Sequence, residues 1–173
     1  MPQARHTGST FMPMKLRRLG EFAAAGWSGI AAGTVYLAAQ MTFTLLIRGD
    51  SAWMPLQRIS ALLLGPDAVP PPADMSPTIA GMALLIHFAL AFVYGRCVGR
   101  IVSRMPWWPA VLAGAAFGLA IYVLNFELIA PVMFPWFDAS RGAVTLFDHA
   151  LFGAVASALC VSLRAPSRAD VPA

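Results

Sequence analysis

The chain has 173 residues, 58% of them hydrophobic and 12% charged, with 12 Lys and Arg against 8 Asp and Glu and a mean hydropathy of +0.68. So much apolar surface cannot be kept from water in one compact globule of this size, which excludes an ordinary soluble domain and leaves a membrane protein. The net charge of +4 is low, and the basic residues flank apolar runs. This excludes a nucleic-acid face and makes the anionic lipid surface their expected partner.

Residues 1–21 are polar and basic, with Arg5, Lys15, Arg17 and Arg18, and read as a cytoplasmic tail ending in a charged anchor. Residues 22–47 carry no formal charge and are long enough to cross a core of ~30 Å at ~1.5 Å per residue with some tilt. They are the first predicted transmembrane helix. The run is too long for a signal-peptide core, and Leu37-Ala38-Ala39 is a poor cleavage site.

Within the long connection that follows, residues 53–64 place Leu56, Ile59, Leu63 and Leu64 at helical spacing around Gln57 and Arg58, which predicts a short helix lying in the membrane interface. The proline-rich GPDAVPPPADMSP is expected to be an extended, stiff strap. Residues 78–95 form the second predicted span, interrupted only by His87. Arg96, Arg100 and Arg104 with Trp107 and Trp108 then mark a membrane boundary, where cations meet headgroups and amphipathic rings sit at their level. Pro109 falls in the first turn of the third span, residues 109–129, whose continuation Pro131 and Pro135 should prevent. The fourth span covers residues 142–163, and residues 164–173 are a second cytoplasmic tail.

Nine Lys and Arg lie before the first span, between the second and third, and after the fourth; Arg48, Arg58 and Arg141 lie on the other side. The positive-inside rule therefore puts both termini in the cytoplasm, and the strap and the corner PVMFPWFDASRG outside. Cys97 and Cys160 fall near the cytoplasmic ends, where a disulfide does not persist. The fold class expected is all-α, a polytopic membrane protein of four transmembrane helices in a bundle plus a short interfacial helix.

Each span carries a stripe of small residues at three- and four-residue spacing, with polar residues on the same stripe. These are Gly26, Gly29, Gly33, Tyr36 and Gln40; Ala83, His87, Ala91, Gly95 and Gly99; Gly114, Gly118, Tyr122 and Asn125; and His149, Gly153, Ser157 and Cys160. Small residues let helix backbones approach closely in lipid, where dispersion and interhelical hydrogen bonds hold helices together. Measured from the outer boundary, Gln40, His87, Asn125 and the pair Asp148-His149 fall roughly 8–13 Å deep, with Glu127 one turn shallower. They define a candidate polar cluster, because ionisable groups at such depth must face protein, water or a ligand.

Three readings fit that cluster. In the first, Gln40, His87, Asn125 and His149 hydrogen-bond one another as packing glue in a structural or accessory protein. In the second, Glu127, Asp148, His149 and His87 form a proton or ion path, which four helices enclose only as an oligomer. In the third, His87 and His149 hold a haem, or join Asp148 and Glu127 around a metal. The first is preferred, with no cofactor, and a homo-oligomer or another membrane protein is left open as partner. No Walker loop, nucleophile elbow, dinucleotide fingerprint or zinc signature is present, so the chain is expected not to be an enzyme. Trp53, Trp107, Trp108 and Trp136 read as interface anchors, and Asp138 to Arg141 as a turn with a local ion pair.

The order GPDAVPPPA, His87 followed by Tyr94-Gly95, GAAFGLAIYVLNF, FPWF and LFDHALFG resembles a group of small bacterial inner-membrane proteins of similar length. The resemblance spans residues 65–154 and is most specific at 134–137 and 146–153. It implies a bacterial inner membrane and a four-helix plan. Some of that group carry the label sodium:proline symporter, but that fold needs inverted repeats with broken helices at the midplane, more than four helices supply.

Overall fold

A computed structural model describes residues 14–69 and 76–164, with side chains from residue 22 onward. Helix α1 (Met14–Ile47) is unbroken because it contains no proline, and it stops where Gly49 takes φ +69°. The segment expected as a tail is thus helical from Met14; residues 1–13 lie outside the described residues, as do 70–75 of the strap and 165–173. Helix α2 (Met54–Leu64) has proline in its first turn and ends at Gly65, φ +84°, whose N–H caps the carbonyl of Ala61. A 3₁₀ turn, Pro66–Ala68, follows.

Helix α3 (Pro77–Ile101) runs six residues beyond the expected end at 95. Arginine is a good helix former, and Val98 and Gly99 on the same turns are buried, Gly99 against Ala25 of α1. The third span, α4 (Trp107–Met133), also exceeds its expected end at 129. A proline ring clashes with the carbonyl four residues back in a regular helix. Here Val123–Ile129 widens into a π-helix in which the N–H of Ala130 bonds the Asn125 carbonyl five residues back. The wider turn sits directly before Pro131, and the chain continues to Met133 instead of stopping. A 3₁₀ segment, Pro135–Ser140, forms the aromatic corner, and α5 (Ala143–Ser162) follows Gly142.

The protein is all-helical, with four helices, Phe22–Ile47, Pro77–Ile101, Trp107–Met133 and Ala143–Ser162, long and apolar enough to cross a membrane. It is a multi-pass membrane protein, and large apolar side chains such as Leu85, Leu112 and Val132 point outward as lipid requires. Its interior is built from small residues: Ala32, Ala91, Ala110 and Ala156 are fully or almost fully buried.

Close backbone approach fixes the helix pairs. A Cβ on Gly29 would lie 2.1 Å from the Ala91 carbonyl oxygen, and one on Gly95 2.5 Å from Gly29 Cα, so α1 and α3 meet through glycine. Helices α4 and α5 do the same: a Cβ on Gly118 would lie 1.9 Å from the His149 carbonyl oxygen, and one on Gly153 1.9 Å from that of Gly114. Helix α1 also packs along α5, whereas α3 and α4 scarcely touch. The bundle is therefore two glycine-joined pairs, closed on one side and open between α3 and α4.

Helix α2, the short helix expected between the first two spans, packs on this body. It buries Leu56, Gln57, Arg58, Ser60 and Ala61, packing mainly on α3, and leaves Leu63 and Leu64 outside.

Candidate functional site

A cavity of about 460 Å³ occupies the opening between α3 and α4. Ile86, His87, Leu90 and Tyr94 of α3 form one wall, and Asn125, Phe126 and Ile129 of the π segment form the other. Tyr36 and His149 form the back; Ile59 and Leu63 of α2 with Phe134 and Phe137 of the corner complete the lining. At the level of Tyr94 its ring meets Phe117 across the two helices at 6.4 Å. The lining is mostly hydrocarbon and aromatic, with a few polar groups, which is the composition of small-molecule sites of this size.

The π segment matters here because consecutive helical side chains normally diverge by about 100°. The extra residue of a π turn changes that phase, and Asn125, Phe126 and Ile129 all reach the cavity.

The polar groups are held individually. His87 Nε2 lies 2.9 Å from the Gly33 carbonyl oxygen. A carbonyl only accepts, so Nε2 carries the hydrogen and Nδ1 of the neutral ring is bare. His149 Nδ1 lies 2.8 Å from the Thr145 carbonyl oxygen, one turn back on its own helix, which by the same reasoning leaves Nε2 bare. Tyr36 Oη lies 3.4 Å from His149 Nδ1 and can only accept there, so its own hydrogen remains free. The Tyr36 ring packs on both imidazoles, stacked at 5.7 Å from His87 and edge-on at 5.0 Å from His149. Tyr122 and Phe126 complete an aromatic collar around His149 at 5.7 and 5.4 Å.

Of the six residues expected to cluster, His87, Asn125 and His149 line this cavity, and Gln40, Glu127 and Asp148 do not. The expected mutual hydrogen bonds are also absent among the described residues. The histidines bond backbone carbonyls instead.

Glu127 is exposed and leaves the cluster, because its carboxylate is drawn to Arg141 and accepts from Tyr122 Oη at 3.1 Å. Asp148 adjoins His149 in sequence but points about 100° away around α5. It is fully buried and, among the described residues, neither carboxylate oxygen is hydrogen-bonded, nor is Oε1 of buried Gln40. Among the described residues no three His, Cys, Asp or Glu side chains converge to hold a metal. The set His87, His149, Asp148 and Glu127 is thus divided among three places.

Sequence reasoning also missed the hydrogen bonds of Arg48 and Arg58, which it counted as charges. Arg48 donates to the carbonyls of Ala139 and of Ser140, the latter at 3.2 Å. Arg58 donates to Ser140 Oγ at 2.7 Å, and Arg141 pairs with Asp138 at 3.0 Å as expected. Arg58 is almost fully buried, and loss of water with Arg48 nearby lowers its pKa below the usual arginine range. Together with Gly142 N–H donating to Tyr122 Oη at 3.1 Å, these bonds pin the aromatic corner over the cavity. Both cysteines are free, Cys97 exposed and Cys160 buried.

Fold and site together define a multi-pass helical membrane protein with a laterally open, sparsely polar cavity. No protein family, curated protein or solved structure matches the chain.

Proposed function

We propose that this is a bacterial inner-membrane protein, with both termini and the α3–α4 turn in the cytoplasm, that binds a lipophilic small molecule entering from the bilayer. It acts as a binding or accessory component rather than an enzyme. The observation that carries the reading is the 460 Å³ cavity at the unclosed side of the bundle, where Tyr36, His87, Asn125 and His149 interrupt an apolar lining. A cavity made only by imperfect packing has no reason to gather four hydrogen-bonding side chains, two of them imidazoles fixed by backbone carbonyls. The nine-to-three distribution of Lys and Arg supports the orientation.

The test is purification in mild detergent followed by solvent extraction, mass spectrometry and a visible spectrum, comparing the natural protein with an Ala130→Trp variant that fills the cavity. A lipophilic compound retained by the first and lost from the second is expected. Equal lipid content in both refutes the reading, and a Soret band would assign the cavity to haem held by His87 or His149.

A second reading, a proton- or ion-conducting subunit acting as an oligomer, is favoured by buried Asp148, which has no hydrogen-bond partner among the described residues. Proteoliposomes showing a proton flux that Asp148→Asn abolishes would put it first.

A further inference from the structure

We infer that the occupant of this cavity presents hydroxyl hydrogens at its polar end, as a lipid-soluble ring diol of the quinol type does. The inference rests on the binding function proposed above and names the class of ligand.

The directions of the hydrogen bonds carry it. His87 spends its hydrogen on the Gly33 carbonyl and His149 spends its own on the Thr145 carbonyl. Each neutral ring therefore meets a ligand through a bare nitrogen that can only accept. Neither of those nitrogens has a partner among the described residues. Both imidazoles line the cavity and both pack on the one ring of Tyr36, so a single ring-bearing ligand can reach the two acceptors. Tyr36 contributes a free O–H, and the Asn125 amide both donates and accepts. A hydroxyl suits this set because it gives its hydrogen to an imidazole and accepts from Tyr36 or Asn125. A ketone or a quinone brings only acceptors: it can take the hydrogens of Tyr36 or Asn125, but it leaves both bare ring nitrogens unpaired. Sites built to pair with a ligand hydroxyl discriminate strongly against analogues without it, since their own polar groups are then left buried and unpaired.

The surroundings select the rest of the molecule. Phe126, Phe134, Phe137 and Phe152 supply flat apolar walls for a ring. Ile86, Leu90 and Ile129 line the sides of the opening between α3 and α4, through which an aliphatic tail can lie in the bilayer.

The test uses the whole protein in lipid nanodiscs, kept anaerobic and reducing. Binding is measured by calorimetry for a decyl-tailed benzoquinol, for the same quinol methylated on both oxygens, and, without reductant, for the parent quinone. Nitrogen-15 spectra of histidine-labelled protein are recorded beside each titration. The quinol is expected to bind about tenfold or more tightly than either analogue. The non-protonated nitrogen resonances of two histidines should shift on its addition while the protonated ones stay. Equal binding of all three compounds, or tighter binding of the quinone, overturns the inference and leaves the lipophile-binding function standing. If none of the three binds and extraction of the purified protein yields no retained lipophile, both fall together. Comparing ligands on one unaltered protein avoids any variant that fails to fold.

Discussion

Replacing Gly118 by alanine is the sharpest probe of how this bundle is held together. The added Cβ would stand 1.9 Å from the His149 carbonyl oxygen, 2.7 Å from its carbonyl carbon and 3.2 Å from Ala150 Cα. An ordinary carbon–oxygen contact is roughly 3.3–3.6 Å, and every obstructing atom is backbone, so no side chain can swing aside. Helices α4 and α5 must part by more than an ångström, which also loosens the neighbouring Gly114–Gly153 contact. Overpacking of this kind costs about 1–3 kcal/mol, against a gain of up to about 1 kcal/mol from alanine's better helix propensity. A net destabilisation of about 1–2 kcal/mol is expected. Gly81 on α3 is the internal control: it is exposed with nothing within 4 Å of its would-be Cβ, so Gly81→Ala should stabilise by about 0.5–1 kcal/mol. Unfolding of both variants and the parent by denaturant in mixed micelles measures the difference. A Gly118→Ala protein as stable as the parent would refute the close approach of these helices and with it the position of His149.

Arg58→Ala removes a buried charge-assisted bond to Ser140 Oγ, and a loss of about 1.5–3 kcal/mol is expected together with faster hydrogen exchange over residues 134–142; unchanged exchange there would show that Arg58 does not pin the corner. Asp148→Asn keeps the side chain's shape and removes a carboxyl that has no hydrogen-bond partner among the described residues, so thermal stability should be equal or higher. A loss of about 3 kcal/mol or more would instead reveal a cation paired with Asp148. Cys97 is exposed and Cys160 buried, so a membrane-impermeant maleimide should label Cys97 in inverted vesicles and not in intact spheroplasts; the opposite pattern would reverse the proposed orientation.

The number of crossings was legible because spans of this length and hydropathy admit few other solutions in lipid. So was the pairing surface: Gly29 with Gly95 and Gly118 with His149 lie on the stripes that three- and four-residue spacing marks out. The cavity was only half legible. His87, Asn125 and His149 belong to it, but the spacing rules assume a uniform helix, and the π turn that presents Asn125 follows from Pro131 acting on a helix that does not stop. Tyr36 stood on the right stripe and was left out of the expected cluster, although it touches both histidines. Glu127 was misassigned because depth along the axis says nothing of a partner such as Arg141, which reaches it from fourteen residues further along the chain. Helix α2 was legible as a helix from its spacing, but that spacing does not reveal that its buried face packs on α3.

The π turn also gives the third crossing spare chain length. A single deletion between Val123 and Ile129 would let the segment relax into a regular helix. A regular helix holds one residue fewer over the same rotation, so the chain beyond it would keep its direction. Pro131 would then stand against the carbonyl it now avoids, at the base of the corner where Ser140 meets Arg48 and Arg58. One surplus residue in the third crossing thus acts as slack that lets a proline pass without breaking the line from the cavity's inner walls to its outer cover.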